Sequence, residues 1–176
     1  MSMPNLRACL CVAIVASAGS TIGRAQEGPG LGVPATPEQV SGWAISILPD
    51  GTGLPAGSGT AAAGAEVYAE KCVACHGVDG AGMPNDQLVG GHGTIATATP
   101  VRTIGSYWPY ATTVFDYVRR AMPLVAPQSL TNDETYALTA YLLHLNGIID
   151  EDDVMNARTL PRIEMPNRDN FVRAVP

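Results

Sequence analysis

The sequence predicts an all-α domain of three to five helices, with an extended arm before it and an extended tail after it. Three observations point there. Two segments near the middle and end of the chain carry helical periodicity, one of them with a complete set of caps. No segment alternates apolar and polar residues over the length that a strand needs. The chain has 176 residues, enough for one domain and too few for two comfortable ones.

The elements follow in order. Residues 1–25 read as a secretory leader. Arg7 supplies the positive region, residues 8–19 (ACLCVAIVASAG) an apolar stretch too short to hold a bilayer, and Gly23 and Ala25 the small residues before a cut. The alternative is an N-terminal anchor that stays in place. Residues 26–58 form a Gly- and Pro-rich arm in which only residues 42–48 (GWAISIL) look able to pack. A first helix starts after Ser58 or Thr60 and runs to about Cys72, built on Ala61, Ala62, Ala63, Ala65, Glu66, Ala69, Glu70 and Lys71. Residues 77–104, dense in Gly and Thr, are a loop. A second helix covers about Thr113 to Ala121, capped by Thr112 or Thr113 and stopped by Pro123.

The strongest helix is Asn132 to Asn146. Thr131 and Glu134 make a capping box, Gly147 sits at the left-handed position, and Leu138, Tyr141, Leu142 and Leu145 form the apolar stripe. The domain is thus bounded at 59–147, and residues 148–176 are an extended tail. Arm and tail carry only sparse anchors, Trp43, Ile45 and Ile47 in one, Ile163, Met165 and Phe171 in the other. Such segments cannot easily offset their own conformational entropy, so they are expected to wrap a partner, the alternative being that both fold back over the domain's own surface.

Charge narrows the function classes. Once Arg7 and Arg24 leave with the leader, 8 basic residues face 16 acidic ones, a formal net of −8. That excludes a nucleic-acid role and favours partners with a basic face. Cleavage also removes Cys9 and Cys11, leaving Cys72 and Cys75 in an oxidising compartment.

Those two cysteines stand in Cys72-Val73-Ala74-Cys75-His76, the attachment sequence for c-type haem. Thiols three positions apart reach the two vinyl groups on one porphyrin edge, and His76 presents its imidazole to the iron from the same side. A tetrahedral zinc site would need further ligands, and the mature chain has no third cysteine. One such motif predicts one covalent haem. For the sixth iron ligand the mature chain offers Met83, Met122, Met155, Met165, His92 and His144. Met122, 46 residues after His76, is far enough along the chain to reach the opposite haem face. Met83 is close to the motif, His92 lies in a Gly-Gly-His-Gly run, and His144 is expected to be solvated.

The pattern Gly64-x3-Tyr68-x3-Cys72 resembles the class I cytochrome c family, whose first and last helices cross beside the haem edge. The resemblance implies that fold around one haem, with Gly64 and Tyr68 meeting Leu138, Tyr141 and Leu142. The segment Met122-Pro123 is similar to the family's ligand segment, and Gly80-x-Gly82-x-Pro84-x3-Leu88 implies that the Pro84 carbonyl accepts the ring N–H of His76. With His76 and Met122 on the iron, the potential is raised relative to a bis-His site, and the expected role is outer-sphere electron transfer rather than catalysis. Tyr107, Trp108 and Tyr110 are candidate donors to the haem propionates, and Arg102 a candidate counter-charge. The alternative for the aromatics is plain core packing.

Residues 105–127, together with the last helix and the tail LPRIEMPNRDNF, resemble the cytochrome subunit of periplasmic sulfite dehydrogenases. They also resemble the C-terminal cytochrome domain of the sulfane dehydrogenase complex of sulfur oxidation. The likeness covers about residues 42–171. It implies a periplasmic electron-transfer subunit that accepts electrons from a molybdenum-cofactor oxidoreductase and passes them to a downstream cytochrome or oxidase. The sulfane-type subunit carries a further N-terminal haem domain, so a sulfite-dehydrogenase-like partner is expected, with no membrane span in the mature chain. The competing readings are a freely diffusing periplasmic carrier and a small haem enzyme of peroxidase type.

Overall fold

The computed structural model describes residues 31–172. The predicted leader lies outside them, and residues 31–36 carry no regular element. From residue 37 onward the order is α1 (Pro37–Trp43), β1 (Ser58–Gly59), α2 (Ala61–Lys71), α3 (Val73–His76), α4 (Ala111–Ala121), α5 (Asn132–Leu145) and β2 (Met155–Asn156). The fold is all-α, as expected, with one two-residue antiparallel ladder.

Local chemistry explains most of the boundaries. Thr60 caps α2, its hydroxyl accepting from the Ala63 N–H at 3.3 Å. The capping box of α5 is complete: Thr131 Oγ1 accepts from the Glu134 N–H, and the Glu134 carboxylate accepts from the Thr131 N–H at 2.8 Å. Gly147 follows at φ +66°, as a left-handed stop requires. The sequence placed the start of α4 two residues late. It begins after Tyr110, and the two threonines expected as caps lie inside its first turn. Their hydroxyls are engaged elsewhere, Thr113 on the Tyr110 carbonyl at 2.7 Å and Thr112 on the Pro49 carbonyl at 3.2 Å.

Helix α5 is the centre of the domain. The apolar stripe read from sequence is too narrow: Thr135, Tyr136, Ala137, Leu138, Thr139, Ala140, Leu142 and Leu143 are all buried, whereas Tyr141 and Leu145 are only half-buried. The helix is covered from several directions, by α2, by α4 and by β1. Its buried threonines tolerate this because each hydroxyl bonds the carbonyl four residues back, Thr135 to Thr131 at 2.8 Å and Thr139 to Thr135 at 2.7 Å. Phe115 of α4 meets Tyr136 with ring centroids 4.4 Å apart.

Against α2 the approach is backbone to backbone. A Cβ at Gly64 would fall on the Ala137 carbonyl and 2.7 Å from the Tyr141 Cβ. One turn on, Tyr68 packs on Tyr141 at 5.3 Å between ring centroids. The predicted crossing is present, with Ala137 and Tyr141 as the partners of Gly64.

Arm and tail take the alternative course and fold back on the domain. The arm forms the short α1 and then lies on the domain itself. Ile47 is buried, its N–H donating to Asp116 Oδ1 at 3.0 Å, and Tyr136 Oη donates to the Pro55 carbonyl at 2.9 Å. The tail behaves likewise, with Met155, Leu160 and Met165 sealed in the core and Ile163 packed against it. Each such side chain contributes roughly 1.5–3 kcal/mol on burial, enough to order short segments already tethered to the domain. Of the predicted anchors only Trp43, 88% exposed, and Phe171, 48% exposed, stay largely open.

The crossing sets a stability prediction. Gly64→Ala gains about 1 kcal/mol of helix propensity but drives a methyl into the Ala137 carbonyl. The holoprotein is expected to lose a net ~1–3 kcal/mol in urea unfolding, and an unchanged or raised midpoint would refute the close contact.

Candidate haem site

Cys72 ends α2 as its C-cap, its N–H bonding the Tyr68 carbonyl at 2.9 Å. The chain then makes one more turn, α3. The N–H groups of Cys75 and His76 both reach the Cys72 carbonyl at 3.0 Å, and that of Gly77 reaches the Val73 carbonyl at 2.9 Å. Both thiols are free, Cys72 half-buried and Cys75 exposed. Burial pushes the Cys72 thiol up to about 11, with Cys75 adding to the rise and Lys71 opposing it. A thiol held that high is not the low-pKa nucleophile of a redox dithiol motif.

The segment after His76 folds back over α3 and fixes the imidazole. The Gly82 N–H donates to the His76 carbonyl at 2.8 Å, the Asn85 N–H to the Cys75 carbonyl at 2.9 Å, and the Leu88 N–H to the Gly80 carbonyl at 2.8 Å. Gly77 permits the reversal: its φ is +71°, and a Cβ there would strike the Gly82 carbonyl. Tyr68 Oη donates to the Gly77 carbonyl at 2.9 Å, and burial raises its pKa to about 12, so it stays a donor.

The expected partner of His76 needs correction. Nδ1 lies 3.1 Å from the carbonyl of Asp86, not of Pro84. The folded-back loop brings the carbonyl two residues further on to the ring. A carbonyl only accepts, so Nδ1 carries the proton and the Nε2 lone pair is free for a metal.

Met122 is the C-cap of α4, its N–H bonding the Val118 carbonyl at 3.1 Å, and it is half-buried against the core. The alternative ligands sit differently. Met155 and Met165 are 2% and 3% exposed inside the core, whereas Met83 is 80% exposed. His92 is exposed, close enough to Gly105 that a Cβ there would lie 2.7 Å from its ring. His144 is half-buried rather than solvated, with Nδ1 buried and without a hydrogen-bond partner.

The aromatic segment forms a corner leading into α4. Trp108 packs edge-on against Tyr117 at 5.6 Å, and Tyr107 against Phe171 at 5.4 Å. Arg102 is exposed, its guanidinium 5.8 Å from the Tyr107 ring centre, and Arg168 stands 5.6 Å from that of Tyr110. Asn146, which no sequence motif singles out, ties the loop to the end of α5. Its side chain accepts from the Gly90 N–H at 3.1 Å and donates to the Leu142 and Leu88 carbonyls at 2.8 and 3.2 Å. Nor does any motif single out Asn167 and Arg168. An Asn just before the stop glycine is the available signal for Asn146; the tail holds none for the others.

Two adjacent free thiols, an imidazole with Nε2 available and a half-buried thioether are the donor set that haem c takes, and the residues fit that group. Residues 61–146 match the cytochrome c family. One chain in the crystal structure of the sulfane dehydrogenase SoxCD from Paracoccus pantotrophus is 44% identical over 82% of this chain and 71% of its own, with a TM-score of 0.78. This chain belongs to the cytochrome c family.

Membership implies covalently bound haem c and an electron-transfer role for this cytochrome. The matched structure is of the sulfane type, which the sequence reading had placed behind the sulfite type. No curated protein sequence matches the chain. Among the described residues no helix is long and apolar enough to cross a membrane.

The residue before the attachment motif yields a pH prediction. Lys71 pairs with Glu134 of the capping box, which holds the Glu134 carboxyl below its usual range, helped by the Thr131 N–H. A lowered carboxyl pKa stabilises the fold above the unfolded value, and the gain is lost as pH falls through the folded value. Glu134→Gln should therefore cost roughly 0.5–1 kcal/mol at pH 7 and almost nothing near pH 3. Urea melts at the two pH values check this, and an equal loss at both refutes it.

Proposed function

We propose that this cytochrome is a periplasmic single-haem electron-transfer subunit of a molybdenum oxidoreductase of the sulfite- or sulfane-dehydrogenase type. In this reading it takes electrons from the molybdenum subunit and passes them to a downstream cytochrome or oxidase with a basic face. The observation that carries it is the 44% identity to a sulfane dehydrogenase chain, which extends well beyond the minimal cytochrome region. The leader-like first 25 residues support export, and the single attachment motif supports one haem.

Haem c bound here supplies a one-electron couple. The protein groups would take the following roles. Cys72 and Cys75 would tether the haem as thioethers, and His76, oriented by the Asp86 carbonyl, would be one iron ligand. Met122 would be the second. It is the methionine that is neither sealed in the core nor left almost fully in water, and it ends a helix anchored to α5 through Phe115. A thioether favours the reduced iron, which suits an acceptor of electrons from a molybdenum centre. Tyr107, Trp108 and Tyr110 remain the proposed neighbours of the propionates. Arg102, already over the Tyr107 ring, supplies positive charge at the same corner.

One observation favours the second reading, a freely diffusing carrier. The tail and the later half of the arm lie on the cytochrome's own core, so they do not argue for a partner. Among the apolar features left open for docking is α1 with its exposed Trp43.

Two measurements test the proposal. Met122→Ala should abolish the weak long-wavelength iron–sulfur band of the oxidised protein and lower its potential, with one haem per chain by pyridine haemochrome throughout. Survival of that band, or its loss in Met83→Ala instead, would refute the ligand assignment. For the partner, the holoprotein should co-purify from its source with a molybdenum oxidoreductase and be reduced when sulfite or a sulfane donor is added. Trp43→Ala should weaken the association without changing the spectrum. Reduction without stable association would favour the diffusing carrier.

A further inference from the structure

Helix α4 is unlike α2 and α5 in how it starts. Tyr110 occupies its N-cap position but makes no side-chain cap bond, and the first backbone bond, from the Val114 N–H to the Tyr110 carbonyl, is long at 3.4 Å. A helix begun this way frays unless something outside it fixes the first turn. The arm holds the first turn itself, Thr112 Oγ1 donating to the Pro49 carbonyl at 3.2 Å, and the tail braces the residues that lead into it. Asn167, 6% exposed, donates its side-chain N–H to the Tyr107 carbonyl at 2.9 Å. Its own Oδ1 accepts from Asn170 at 3.0 Å, which fixes which end of the amide faces Tyr107. The next residue, Arg168, sets its guanidinium 5.6 Å from the Tyr110 ring centre, and Phe171 packs edge-on against Tyr107. These contacts come from one short turn, Arg168–Asn170, and close on the four residues that lead into α4. The other end of that helix is Met122.

We propose that Asn167 and Arg168 are positioning residues for the Met122 side of the haem site, holding the Tyr107–Tyr110 corner from which α4 starts. The tail is then a strap on the ligand helix rather than an arm for a partner. This rests on the proposed role of Met122 as sixth ligand. A buried amide spent on one backbone carbonyl is the costlier of the two contacts to lose, because its removal strands that carbonyl as well. The cation over the Tyr110 ring adds a smaller share.

The test uses the oxidised holoprotein and imidazole, which replaces a loosely held thioether on ferric iron with no change of oxidation state. Asn167→Ala and Asn167→Asp, the second keeping the shape but losing the donor, should each speed imidazole binding roughly tenfold. Arg168→Ala should speed it about threefold, and Arg168→Lys should restore most of the loss. Amide hydrogen exchange at residues 107–114 should accelerate in parallel. Met155→Ala serves as the control, since it removes a buried tail side chain at β2 and lowers the melting temperature without touching the corner. Its imidazole and exchange rates should stay near those of the unaltered protein. Wild-type rates in Asn167→Ala, or equal acceleration in Met155→Ala, would overturn the proposal. The exchange readout does not depend on the identity of the sixth ligand. An error in that assignment would show in Met122→Ala and would not be mistaken for failure of the strap.

Discussion

At the crossing of α2 and α5 there is no space for a side chain at residue 64, and much of the site's geometry follows from that. Backbone packs on backbone at Gly64, and at Gly59 just before α2 a Cβ would fall on the Ala137 amide. Such an approach fixes how the two helices slide and rotate against each other more tightly than interdigitated side chains would. Tyr68 and Tyr141 then fill the space where the helices diverge. Because Cys72 is the C-cap of α2, its position is set from α5 across this contact. The attachment motif is thus placed by a rigid pair of helices, with the Lys71–Glu134 ion pair beside it linking the end of one to the start of the other.

From that fixed point His76, the proposed iron ligand, is oriented by backbone. His76 ends a single turn of helix, which would be marginal on its own. It is held because the following residues return their N–H groups to the carbonyls of Cys75, His76 and, further on, Gly80. The loop in turn is fastened to α5 by Asn146, and its outer part is braced by the buried Thr103–Ser106 pair, where Thr103 donates to Gly90 and Ser106 to Val101. The chain of restraint runs from α5 through Asn146 and the loop to the Asp86 carbonyl and the imidazole. A ligand held by carbonyls keeps its orientation whatever its local side chains are, which suits a site where fixed geometry limits reorganisation on electron transfer.

The legible parts of the sequence were those governed by short-range chemistry. The cap set of α5, the left-handed stop at Gly147, the attachment motif and the need for a small residue at position 64 each depend on a few neighbours in the chain. The capping threonine of α4 was misplaced because both candidates bond elsewhere, Thr112 to a carbonyl in the arm that no local pattern reveals. The carbonyl facing His76 was misjudged by two residues. Main-chain acceptors carry no residue signature, and the depth of the loop's fold-back decides which one arrives at the ring. The sparse apolar residues of arm and tail leave open whether they wrap a partner or fold back on the cytochrome. Sparse anchors suffice when a formed core already offers Ile47, Leu160 and Met165 a place to bury, and the sequence does not show those places.

The arm and tail also depend on each other. Ser58 and Gly59 at the end of the arm pair with Asn156 and Met155 in the tail, so the two flanking segments meet in one ladder beside α5. Neither can be lifted onto a partner without exposing the ladder bonds and the Met155 side chain beneath them. An assembly partner would therefore meet the outside of a closed structure, not a pair of free arms. That leaves α1, placed before the buried Ile47 and ending in an exposed Trp43, as the apolar feature of the arm that a partner can engage at little cost to the cytochrome. A tryptophan in water on an otherwise acidic chain combines a large apolar area with long-range attraction to basic surfaces. Charge then governs how fast a partner arrives, and the indole how long it stays.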